Sequence, residues 1–160
     1  MSRRRPALTA AAAALALAAP ACIPGHALTA PARSSAVGVH IAGRTALAKV
    51  ESPTVLIDSG TVTGSPVGSG RITLVYTLHP GAGLASTKFT IVNARGTVTG
   101  TARSTYIVSR LHLTFTGMGS VTRGTGAYAG LRSRLLEFGA IHSITGRREA
   151  IALTGRATRA

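Results

Sequence analysis

The chain has 160 residues, and 18 lysines and arginines against 4 carboxylates give it a formal charge of +14. A single cysteine excludes an internal disulfide, and four carboxylates at scattered positions give no paired-carboxylate chemistry. The length fits one domain, large enough to bury a core without cross-links.

Arg3, Arg4 and Arg5 precede an almost unbroken Ala/Leu run over 7–19, followed by small residues. That is the layout of a secretory signal peptide, expected to span 1–27 with cleavage after Ala27, or alternatively after Ala21. Ala19-Pro20-Ala21-Cys22 resembles a lipoprotein box, which makes an anchor through Cys22 the alternative to a secreted protein. Ser2-Arg3-Arg4 lacks the bulky apolar pair of a twin-arginine signal, since Pro6 and Ala7 follow. The apolar run is shorter than the ~20 residues of a membrane span, so no transmembrane segment is expected. Loss of the three arginines lowers the net charge from +14 to +11.

Residues 28–50 read as a flexible leader, because Pro31, Ser34, Ser35, Gly38 and Gly43 interrupt any period; Val37, Val39 and Ile41 alternate briefly, enough for an edge strand. Residues 51–160 read as one β domain. Strands are predicted at 54–63, 70–79, 86–93, 96–103, 105–116, 119–123, 134–143 and 148–156, the rhythm of an antiparallel barrel or sandwich. His79-Pro80-Gly81-Ala82-Gly83 is the clearest turn. Gly-Thr-Val-Thr-Gly occurs at 60–64 and again at 96–100. Two copies are too few for a solenoid, and short strands bounded by glycine bulges that curl the sheet are expected instead.

Gly119-Ser-Val-Thr-Arg-Gly-Thr-Gly-Ala-Tyr-Ala-Gly130 places four glycines in twelve residues. Gly124, Gly126 and Gly130 mark a turn through conformations closed to other residues, with Tyr128 as a buried plug whose hydroxyl finds a partner. The G-x-G-x-x-A pattern at 124–129 lacks the long helix and second parallel strand of a dinucleotide site.

The 124–130 stretch resembles the G-T-G-x-Y/F-x-G turn of the allene oxide cyclase barrel-like family, which also takes in dirigent proteins. Asp58-Ser-Gly-Thr-Val-Thr-Gly-Ser-Pro66 and Ala94-Arg-Gly-Thr-Val-Thr-Gly-Thr-Ala102 are similar to its small secreted bacterial members. Arg123 and Ser133 stand where glycine is common in that pattern. The resemblance implies an all-β fold, a small antiparallel eight-stranded barrel of the calycin type, and it implies no site residues here.

The faces of the predicted strands fit that fold. Ile72, Leu74, Tyr76 and Leu78 share one face, as do Phe89 and Ile91, Tyr106 and Val108, and Leu111, Leu113 and Phe115. An eight-stranded barrel is just wide enough to be filled by side chains or to hold one small ligand. Leu74, Tyr76, Phe89, Tyr106, Leu113 and Phe115 are therefore the candidate ligand-lining residues.

No catalytic residue stands out. Asp58 reads as a turn or strand-end hydrogen bonder, Glu137 as a partner of Arg132 or Arg134, and no G-x-S-x-G elbow occurs. His112 and His142 fall on presumed polar faces without metal-ligand spacing, so neither a metal nor a cofactor is expected. The arginines are scattered and tryptophan is absent, which argues against specific nucleic-acid binding. The expected role is binding of a small apolar ligand or of an anionic cell-wall or lipid surface. A cyclase- or dirigent-like enzyme and a structural or adhesive protein are the alternatives, and an oligomer is compatible with each.

Overall fold

The structure, a computed structural model, describes residues 35–159. The expected signal peptide, its cleavage sites and Cys22 lie outside these residues. Period-two alternation of Val, Ile, Leu and Phe with Thr, Ser and Arg dominates, and it forms nine strands. They are β1 Ser35–Ser52, β2 Val55–Ser65, β3 Gly68–His79, β4 Leu84–Asn93, β5 Gly96–Ser109, β6 His112–Gly124, β7 Leu131–Arg132, β8 Leu136–Ser143 and β9 Glu149–Arg159. Short 3₁₀ turns occupy Pro80–Ala82 and Gly126–Tyr128.

Sequential neighbours pair antiparallel from β1 to β6, then β6 with β8, β8 with β9, and β9 back with β1. The result is a closed eight-stranded antiparallel barrel, with the two-residue β7 added beside the end of β9. Closure gives each of the eight wall strands a neighbour on both sides. Val39, Ile41, Val62, Ile72, Leu74, Phe89, Ile91, Phe115, Leu136, Phe138, Ile151 and Leu153 point inward and are buried. Each large apolar side chain so buried contributes roughly 1.5–3 kcal/mol.

Four expectations are corrected. The stretch expected as a flexible leader contains β1, the longest strand, bonded to β2 on one side and β9 on the other. The strands predicted at 96–103 and 105–116 do not meet in a turn. Instead β5 runs on to Ser109, the chain reverses at Arg110-Leu111, and β6 absorbs the strand predicted at 119–123. The Gly-Thr-Val-Thr-Gly copies lie inside longer strands, and of the bounding glycines only Gly100 sits at a register shift. There the ring of Phe89 packs where a Cβ would stand. Val108 and Leu111, assigned to the interior by parity, are exposed.

Candidate ligand-binding site

The register assembles a ring of polar side chains inside the barrel. Thr45 on β1 lies diagonal to Asp58 on β2, because Asp58 pairs with Leu47. Asp58 lies diagonal to Tyr76 on β3, and Tyr76 stands directly opposite Thr87 on β4. Thr87 pairs with Ala102 on β5, two residues before Ser104. Thr45, Asp58, Tyr76, Thr87 and Ser104 are all buried and all point inward, as does His142 on β8. Successive diagonal steps follow the tilt of strands in a closed barrel, so the row lies across the barrel instead of along it.

The ring closes on a buried pair. Nδ1 of His142 is 2.8 Å and 3.0 Å from the two carboxylate oxygens of Asp58. An ionised carboxylate only accepts, so Nδ1 carries the proton and donates it, leaving Nε2 as the ring's other polar atom. Both side chains are 1% exposed. The edge of the imidazole approaches Tyr76, with ring centroids 6.1 Å apart. Burial, and then the nearby Asp58 charge, hold the Tyr76 phenol well above the usual tyrosine value of 10.0.

The rest of the ring is unfinished. Thr45 Oγ1, Tyr76 Oη, Thr87 Oγ1 and Ser104 Oγ are buried without a hydrogen-bond partner among the described residues. A native interior leaves few such groups, since each costs about 1–3 kcal/mol. Four of them, on β1, β3, β4 and β5, mark a place where something polar belongs.

An aromatic column leads to the ring from the barrel end formed by the β5–β6 turn. Tyr106, partly buried near that end, lies 5.9 Å from Phe115, and Phe115 stacks on Tyr76 at 4.4 Å. Leu113 is buried beside the same end, while Leu74 and Phe89 lie in the packed core. Of the six candidate ligand-lining residues, Tyr76 alone belongs to the polar ring; Phe115 and Tyr106 connect it to solvent. The wider depressions lie on the outer wall. One is a groove of about 530 Å³ lined by His79, Leu84, Ser86, Arg103, Thr105 and Met118, and another, of about 610 Å³, is lined by Ser120, Thr122, Arg132, Arg134, Arg156 and Thr158.

No protein-family model matches the chain, and no curated protein or solved structure does either.

Three expectations about the site are corrected by this geometry. Asp58 is no strand-end turn residue but an interior carboxylate in the middle of β2, and His142 faces the core instead of water. Parity could have found both: Asp58 is two residues from buried Leu56, and His142 two from buried Ala140. Glu137 pairs with neither Arg132 nor Arg134 and accepts instead from Thr154 Oγ1 at 3.2 Å. His112 stays at the surface, 3.5 Å from Glu149, and no group of three metal-ligating side chains occurs among the described residues.

The glycine-rich turn sits at the other end of the barrel. Tyr128 is buried there, and its hydroxyl donates to the Val67 carbonyl at 2.9 Å and accepts from Asn93 Nδ2 at 2.8 Å. The Arg95 guanidinium lies over the ring at 5.7 Å. Gly124, Gly126 and Gly130 shape the chain around this plug, which stands away from the polar ring.

Tyr76→Phe is expected to raise stability by about 1 kcal/mol, because it removes an unpartnered buried hydroxyl. Urea unfolding checks this at neutral pH. The same substitution changes the alkaline limb. Below pH 10 folded and unfolded chains both hold the phenolic proton, so Tyr76 adds no pH dependence. Above it only the unfolded chain releases the proton, and stability falls as pH rises toward the raised folded-state value. The contribution is a slope of about 1.4 kcal/mol per pH unit, absent in Tyr76→Phe. Parallel slopes for the two proteins would mean that Tyr76 is solvated.

Proposed function

We propose that the protein is a secreted binding barrel that takes one small, largely apolar molecule and holds its polar end at the ring of Thr45, Asp58, Tyr76, Thr87, Ser104 and His142. The observation that carries this reading is the set of four buried polar atoms without partners. A ligand with an oxygen or nitrogen at one end would satisfy them, while its apolar body would lie along Tyr106, Phe115 and Leu113. Such a division, with apolar walls and a few placed polar groups, is how small-molecule sites achieve both affinity and orientation. The likeness of the turns to the allene oxide cyclase barrel-like family belongs to the same proposal.

Native mass spectrometry of the protein recovered from culture fluid tests it. The expected result is an extra mass that disappears in Tyr76→Phe/Thr87→Val. A bare mass, together with ordered water on each of the four atoms in a crystal, would overturn it and favour an adhesive or structural role. The same spectrum reads the N-terminus, and so decides between cleavage after Ala27, cleavage after Ala21 and a lipid on Cys22.

A second reading is favoured by the Asp58–His142 pair beside a neutral phenol. His142 Nε2 is placed to take a proton and Tyr76 to give one, the equipment for steering a reactive intermediate as a cyclase does. His142→Gln separates the two readings: in an enzyme the ligand mass is kept and turned-over product is lost, whereas in a carrier neither chemistry nor product arises.

A further inference from the structure

We propose that the barrel end formed by the β5–β6 hairpin and the β8–β9 loop is a docking surface for an anionic phospholipid bilayer. β4 begins at Leu84, which pairs with Thr105, and the Tyr106 N–H makes the last bond on that side, to the Gly83 carbonyl, whereas β6 stays paired with β8 as far as His112. From Ile107 on, β5 is therefore an open-edged strand at the rim, backed by β6 and β8. Ile107 and Val108 lie on opposite faces of it and are 71% and 67% exposed. Leu111 at its tip is 49% exposed, and Ile144, whose N–H donates to the Leu111 carbonyl at 3.1 Å, is 51% exposed. Four large aliphatic side chains thus crown one end of the molecule. Surfaces of soluble proteins seldom gather such residues without a partner.

Charge and shape decide which partner. Arg110 sits at the hairpin tip, and Arg147 and Arg148 follow Ile144 in the bonded loop, all three exposed. The acidic groups at this end are Glu149, which faces His112 at 3.5 Å, and Glu51, two residues beyond Lys49 on the neighbouring β1–β2 hairpin. Cations therefore outnumber anions at the rim. A protein partner would be met by a flat or concave patch centred on aromatic anchors. A convex aliphatic tip with flanking arginines fits the headgroup–acyl boundary, where side chains insert and cations meet lipid phosphates. Docking does not depend on the barrel holding a ligand.

The absence of tryptophan from the chain makes the test local. Ile107→Trp places a single indole at the rim, and Val92→Trp places one on the exposed wall toward the opposite end. With the full chain and vesicles of phosphatidylglycerol and phosphatidylcholine, the emission of Ile107→Trp is expected to shift to the blue. Pure phosphatidylcholine should leave it nearly unchanged, and Val92→Trp should not respond to either. Adding Arg147→Gln or Arg148→Gln to Ile107→Trp lowers the partition coefficient about fivefold each, the factor equivalent to ~1 kcal/mol per basic residue at an anionic surface. An unshifted rim indole, or equal shifts at both positions, overturns the proposal. A blue shift that grows with protein concentration in the absence of vesicles also overturns it, in favour of a second copy of this chain. All of these side chains are exposed, so the variants fold as the parent does, which circular dichroism checks.

Discussion

Asp58→Leu and His142→Leu are each expected to lower the unfolding free energy by about 3–5 kcal/mol, while Asp58→Leu/His142→Leu recovers most of that loss. The reason is that the 2.8 Å and 3.0 Å contacts between these side chains are made inside the barrel, at 1% exposure for both. A single substitution leaves either a buried carboxylate or a buried imidazole N–H with no partner, and the desolvation cost of that group then stands uncompensated. The double substitution removes both and fills the space with apolar volume, which a β-barrel core accepts. Urea unfolding of the four proteins closes the cycle, and a strongly non-additive result is the signature of direct contact. Losses below about 1 kcal/mol for the single variants would mean that water reaches the pair and that the ring is not an interior feature. The double variant also separates fold from function. A protein that is stable but retains no bound mass would tie the pair to binding, because folding alone would then not need it.

The parts of the fold legible in the sequence are those where alternation is uninterrupted. β3 is the plain case: Ile72, Leu74, Tyr76 and Leu78 are inward and Arg71, Thr73, Thr77 and His79 lie on the other face, as period two requires. β1 was illegible because Gly38 and Gly43 weaken its local preference, and the strand is held by partners remote in sequence, β2 and β9. The false turn between 103 and 105 has a different cause. Ser104 is polar yet points inward, so the apolar count drops in the middle of a continuous strand. Thr45, Asp58, Thr87 and His142 are inward polar residues of the same kind. Three of the residues whose placement the pattern missed, Asp58, Ser104 and His142, therefore belong to the ring. This is where a functional site is expected to break local rules, because the interior there is shaped for something other than packing. Which atoms lack partners is not a property of any one segment; it emerges only when six strands bring their side chains to one level.

Gly126→Val is expected to destabilise by more than about 3 kcal/mol, with Arg123→Ala within about 0.5 kcal/mol of the parent. Gly126 has φ +58, and a Cβ there would overlap the Arg95 carbonyl oxygen. That oxygen already accepts the Ala127 N–H at 2.7 Å, so it cannot retreat without breaking the turn. A β-branched residue adds its own penalty in the left-handed region, which makes valine worse than alanine at this position. Arg123, by contrast, is exposed at the end of β6 and its side chain carries no structural bond. Displacing the turn also moves Tyr128, which caps the barrel through Val67 and Asn93. Tyr128→Phe isolates that second effect: it keeps the ring and the backbone path but leaves the Val67 carbonyl with one donor fewer, at a cost of about 1–3 kcal/mol. Thermal unfolding of Gly126→Val, Gly126→Ala, Tyr128→Phe and Arg123→Ala should then separate backbone strain from loss of the cap. If Gly126→Val matched Arg123→Ala, the turn would be free to rearrange, and Tyr128 would close this end of the barrel without help from the glycines around it.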